Sequence, residues 1–360
     1  MKNLIYNKSL LTDEHGREYY LDNAKFILIF FVVMAHLFGT LKHADVTYVS
    51  YISTAVWNYL NTFHMATFIF ISGYLAKRFV KKGYTLQKPA TYFLIYVFAQ
   101  LLFTFCEKYW WSGDPASETV SIFKAEGSLW YLQCLIIWYL LLPMLDQVKP
   151  KYMIGGAILI ALAVGYDTKV NDYLSFSRVL VHMPFFMAGY YTDKARLDKL
   201  NQTKVKLGAW AALLIIFVVE FCLYRNIPGN LLPCNSPYRF CGLKGPAGVW
   251  WLYRLAFYLV VFVMIFSFLA VVPRCKTFFS KWGSRTLAVY LFHRIFYRCF
   301  EEYGWYKAFG NSWLGLVALF FVVAAVTCVL SLKPFSVPFD LIQKIKITAL
   351  LKDKKRLQSK

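Results

Sequence analysis

Acidic residues are scarce in this sequence, 19 Asp and Glu against 40 Lys and Arg, and charged residues of both signs make up only 16% of it. A soluble domain carries about a quarter, so a water-facing surface large enough to wrap 360 residues is excluded. Histidine is rare, with six in all, and none of the eight cysteines forms a Cys-x-x-Cys pair, so nothing argues for a resident metal or a bound cofactor. Internal repeats, low-complexity tracts and loops of soluble-domain size are also lacking. One membrane domain over 1–360 is expected, with 1–23 as a cytoplasmic N-terminal segment and 333–360 as a basic cytoplasmic tail.

What is abundant is apolar surface: 59% hydrophobic residues, 19% aromatic and a mean hydropathy of +0.46. Runs such as 26–38, 209–219, 250–272 and 314–332 approach the ~20 residues that cross hydrocarbon. The expected fold is all-α, a polytopic bundle of about ten transmembrane helices. The spans are expected near 24–41, 50–76, 90–106, 129–145, 152–166, 175–192, 207–224, 249–272, 286–300 and 313–332. The first of these follows a polar stretch and has no small-residue cleavage site after it, so it reads as a spanning helix and not as a removable signal.

Most of the 40 basic residues fall in alternate loops, 77–89 and 193–206 among them, which predicts both termini on the cytoplasmic side. The net charge of +21 then reflects topology and contact with anionic lipid, and nucleic acid is not expected as a partner. Cys234 and Cys241 share one expected external loop, where a disulfide and two free thiols are both open readings.

Ionisable residues inside a bilayer are costly, so each one is a candidate for function. Asp22, Lys25 and His36 lie on the first span, and the eleven-residue step from Lys25 to His36 is close to three helical turns. The two side chains share a face and stand ~16 Å apart along the axis. Asp22 and Lys25 also fit a helix-start ion pair at spacing i, i+3, with Asn23 helping to cap. The second span carries His64, then Ser72 and Gly73, small residues that permit close helix approach, then the basic mouth Lys77, Arg78, Lys81 and Lys82. His182 lies just before Pro184, and His293, Arg294 and Tyr297 sit where an outer aromatic and basic belt is expected.

Four blocks together resemble the integral-membrane acyltransferase-3 family, and within it the fucose 4-O-acetylase-like branch. They are Leu21-Asp22-Asn23-Ala24-Lys25 through His36; Phe63-His64-Met65 through Tyr74; Leu129-Trp130-Tyr131-Leu132 leading to Pro143; and Ser284 through His293. Two departures stand out: Lys25 where many relatives have Arg, and Ala66 where the branch usually has proline.

The resemblance implies transfer of an acyl group, most often acetyl, from cytoplasmic acyl-CoA to a hydroxyl of a sugar or glycan, free or lipid-linked, at the cell membrane. In that scheme His36 is the general base or a transient acyl carrier, and His64 orients it or binds the acceptor. Asp22, Lys25, Lys77 and Arg78 serve the anionic donor. Trp130 and Tyr131 offer an aromatic surface to a sugar or to the pantetheine arm. The rival expectation is a transporter or flippase for a lipid-linked glycan, which uses the same polar groups without chemistry.

Overall fold

The computed structural model describes residues 11, 18–41, 47–81, 83–111, 121–170, 172–223, 231, 236–309 and 312–347. Lys82 and Cys234 lie outside the described residues, and with Cys234 the disulfide question. The described residues form helices and contain no strand.

In chain order the helices are α1 Tyr19–Thr40, α2 Thr47–Lys81, α3 Gln87–Cys106, α4 Trp130–Leu145, α5 Pro150–Ala163 and α6 Phe176–Tyr191. They continue with α7 Lys194–Lys199, α8 Thr203–Leu223, α9 Trp250–Val271, α10 Thr286–Glu302, α11 Trp313–Leu330 and α12 Lys333–Lys344. Each of the ten expected spans is occupied by a helix. Six stretches of the described residues are long and apolar enough to cross a membrane: those of α1, α3, α4, α8, α9 and α11 with their short flanking turns. α5, α6 and α10 have 14, 16 and 17 residues, and α2 is long but more polar. Lipid-facing helices show their origin in their exposure: Leu214, Ile215, Val218 and Val219 of α8 are all about half or more exposed.

The tail differs from the expected plain basic segment. Residues 333–344 form α12, which packs on α3 and α10 through the buried Phe339. Leu341 and Ile345 stay exposed on its other side.

Two contacts set the frame of the site. α2 and α6 make the most extensive helix pairing, and the small residues explain it. A Cβ at Gly73 would lie 1.9 Å from the Phe186 carbonyl oxygen, and one at Gly189 would lie 1.9 Å from that of Phe70. No other residue type fits either place, as the Ser72-Gly73 pair suggested.

The second contact corrects the sequence reading of Asn23, which does not cap α1. Its amide donates to the carbonyls of Pro273 and Cys275, both at 2.9 Å, and its oxygen accepts from Thr277 (2.9 Å) and Ser280 (2.7 Å). Every hydrogen-bonding position of the buried amide is thereby used. The 273–285 loop is thus tied to the start of α1, with Gly283 seated against the Asp22 carbonyl.

Candidate active site

Two cavities meet back to back inside the bundle. The first, of about 680 Å³, is lined by Lys25, Arg78, Gln87, Lys88, Ser284 and Gln343 and, deeper in the bundle, by the buried Ile29, Ile71 and Leu135. The second, of about 280 Å³, holds His36, Asn61, His64, Trp130, Arg178 and His182. Met65 and Tyr290 line both, so these two side chains form the partition. On the first-cavity side of it, Ser72 and Tyr131 share a hydrogen bond of 2.6 Å.

α1 connects the two chambers. Lys25 lines the first and His36 the second, the shared face that the eleven-residue step requires. Asp22 is buried and pairs with Lys25 at 2.8 Å, which confirms the i, i+3 pair. It is not among the residues that line the cavity, so it restrains the lysine ammonium without itself forming the wall.

The basic mouth is divided by the structure. Arg78 is exposed and lines the first cavity, whereas the Lys77 ammonium donates to the Thr192 carbonyl and lies over the Tyr74 ring at 4.4 Å. Lys77 therefore braces α2 against the end of α6, off the cavity wall. Lys88 of α3 stands in the mouth instead. Beside it, Tyr84 donates to Asp146 at 2.6 Å. Removal from water and that bond push its phenol up to about 12, so it remains a donor that braces the 83–86 segment against the end of α4.

Trp130 and Tyr131 are neighbours in sequence but serve different chambers: Tyr131 faces the first, Trp130 the second. Trp130 stacks on His182 with ring centroids 5.3 Å apart, and the Arg178 guanidinium lies 5.1 Å from the Trp130 ring while pairing with Asp172 at 3.2 Å. His182 is buried and its Nδ1 has no hydrogen-bond partner among the described residues.

His64 is buried on α2 with its Nδ1 bonded to the Leu60 carbonyl one turn back. A carbonyl only accepts, so Nδ1 carries the hydrogen and the neutral ring presents a bare Nε2. His36 and His64 therefore share a chamber, as a two-histidine site requires, but the rings against His36 are others. Tyr297 stacks on it at 4.9 Å and 17°, and His293 lies 5.1 Å away at 45°.

That is a correction to the outer-belt reading of α10. His293 and Arg294 are 1% and 5% exposed, and Tyr297 lines the second cavity. Arg294 is held from behind by Glu126 at 3.0 Å, and Arg298 by Glu107 at 2.5 Å, on the π-turn Glu107–Trp111 that ends α3. A signal existed in the sequence. Tyr290, His293 and Tyr297 recur at spacings of three and four, one stripe of a helix that is too polar for a lipid-facing span.

The geometry defines a class: an all-α membrane protein with a cationic chamber and an imidazole-lined chamber separated by two side chains. The chain matches the family model described as an acyltransferase domain, of the acyltransferase-3 type, over residues 18–332. It belongs to that family and is a membrane acyltransferase. No curated protein and no solved structure matches it.

Proposed function

We propose that this acyltransferase, within the fucose 4-O-acetylase-like branch, moves an acyl group, acetyl in the first instance, from acyl-CoA to a hydroxyl of a sugar or glycan. Its place is the cell membrane, with ten crossings and both termini cytoplasmic. The observation that carries this reading is the back-to-back pair of cavities. A donor entering from the basic mouth and an acceptor lying among the imidazoles would meet at the Met65–Tyr290 partition.

Lys25, Arg78 and Lys88 attract the phosphates of the donor, and the apolar walls beyond them suit the pantetheine arm. Trp130 offers a flat face to a sugar ring in the second chamber. A thioester is already activated, so the protein chiefly holds two reactants together and removes a proton. His36 accepts the hydroxyl proton as the oxygen attacks the thioester carbonyl. The C–S bond breaks, and the proton passes to the departing thiolate.

The test is turnover of acetyl-CoA by protein in nanodiscs with a panel of methyl glycosides, read by thiol release and by product mass. His36→Gln keeps a hydrogen-bonding amide but no base, so turnover should fall ~10²-fold or more. Wild-type turnover should also decline on acidification, because a protonated imidazole accepts nothing. A His36→Gln variant that keeps its activity removes His36 from the chemistry. Wild-type protein that releases no thiol with any glycoside, yet moves a lipid-linked glycan across a bilayer, supports the flippase instead.

A further inference from the structure

The proposed chemistry gives no role to the buried imidazole of His293. His293 is 1% exposed, and its Nδ1 lies 3.0 Å from the Val289 carbonyl one turn back on α10. Because that oxygen can only accept, Nδ1 carries the hydrogen and Nε2 of the neutral ring is a bare acceptor. Nε2 has no hydrogen-bond partner among the described residues. A buried acceptor left unpaired is costly, and where one is retained it marks a place for a donor.

The ring set against it is His36, with centroids 5.1 Å apart and planes inclined at 45°. Tyr297 stacks on a face of His36 at 4.9 Å and 17°, which leaves the ring edge, where both nitrogens lie, for hydrogen bonding. The guanidinium of Arg294 makes no hydrogen bond to the His293 Nε2. It pairs with Glu126 at 3.0 Å and reaches the Tyr297 hydroxyl at 3.4 Å, and its Nε, like the His293 Nε2, has no hydrogen-bond partner among the described residues. Among the described residues lining the second cavity there is no carboxylate that could play the orienting part an aspartate plays in a hydrolase triad.

We propose that His293 is the positioning partner of His36. Its bare Nε2 accepts the N–H of the His36 nitrogen turned away from substrate, which fixes the tautomer that leaves the other His36 nitrogen bare towards the acceptor hydroxyl. When His36 takes the proton, the same contact stabilises the imidazolium in a chamber whose described lining offers it no carboxylate. His293 keeps its own hydrogen on Nδ1 throughout, so the transferred proton travels only from hydroxyl to His36 to thiolate. Catalytic hydrogen bonds are often long before substrate arrives, and the two rings, 5.1 Å apart between centroids, stand close enough for a side-chain adjustment of His36 to close this one. The inference rests on the base assignment made above for His36.

Two amides separate the nitrogens of His293. The amide of asparagine reaches the position of Nδ1 and can keep the bond to Val289, but presents nothing to His36. The amide of glutamine reaches the position of Nε2 and offers His36 a carbonyl oxygen. With acetyl-CoA and the methyl glycosides, His293→Asn should lower kcat ~10²-fold with the KM for acetyl-CoA unchanged, and His293→Gln should retain most of the turnover. Equal loss in both variants, of turnover or of folded protein, makes His293 a packing residue and overturns the proposal. Full activity in His293→Asn also overturns it, and with His36→Gln inactive in the same assay the base assignment survives. If His36→Gln is itself active, the base assignment has failed independently.

Discussion

At the scale of single residues, the two ends of the α1 stripe are compensated differently. Lys25 lines the first cavity and is held by Asp22, which does not line it, at 2.8 Å, so its ammonium is oriented by the protein itself. Losing one charge-assisted contact costs about 1.5–3 kcal/mol, so Lys25→Ala should raise the KM for acetyl-CoA by about ten- to a hundredfold. The KM for the glycoside should not change. Lys25→Arg should retain function, since the cation and its pairing to Asp22 persist. Steady-state kinetics with each substrate varied in turn decide this, and an unchanged donor KM in Lys25→Ala would make the lysine only a helix-start anchor. The mouth also shows why basic residues in a cluster are not equivalent. Lys77 and Arg78 are adjacent, but consecutive helical residues point about 100° apart, and only Arg78 meets the cavity.

At the scale of elements, the site depends on how closely α2 and α6 approach, because α2 carries His64 and Met65 and α6 carries Arg178 and His182. Gly73 and Gly189 face the carbonyls of Phe186 and Phe70, backbone atoms that cannot rotate aside. Gly73→Leu should push the helices apart and destroy the folded state, so that the variant elutes aggregated and melts lower than wild type. Gly155 of α5 has open space where its Cβ would be, and Gly155→Leu should leave elution and melting near wild type. If both variants behave alike, close packing at α2–α6 is not what holds the chambers. The elements themselves were legible in the sequence, because uninterrupted apolar runs need no partner to be recognised. Their ends were less so. α1 begins at Tyr19, several residues before its apolar run, since the polar Asp22 and Asn23 are buried by loop contacts distant in sequence.

At the scale of the whole molecule, orientation is the property on which donor access depends. A cysteine introduced at Lys81, in a variant otherwise free of reactive cysteines, should resist an impermeant maleimide in intact cells and react once the membrane is opened. Labelling from outside would invert the topology and place the cationic mouth on the wrong face for cytoplasmic acyl-CoA. The back-to-back chambers could not be anticipated, because their partition joins Met65 of α2 to Tyr290 of α10, more than two hundred residues away. The same holds for His36, whose ring neighbours belong to α10.

The sequence by itself determined the solvent, the helical class, the shared face of Lys25 and His36, and the resemblance to the acyltransferase-3 family that the match over 18–332 bears out. All of these follow from hydropathy, from the helical period or from residues close together along the chain. Only the tertiary structure decided which polar groups share a chamber. It moved His293 and Tyr297 from an expected outer belt to the side of His36, turned Trp130 and Tyr131 to opposite sides of a partition, and took Lys77 off the cavity wall. The physical reason is that apolar spans are alike to lipid, which does not distinguish one neighbour from another. Helix order around the bundle therefore rests on small-residue contacts such as Gly73 with Phe186, and on buried hydrogen bonds such as those of Asn23. Such contacts join distant parts of the chain and leave no periodic trace in it.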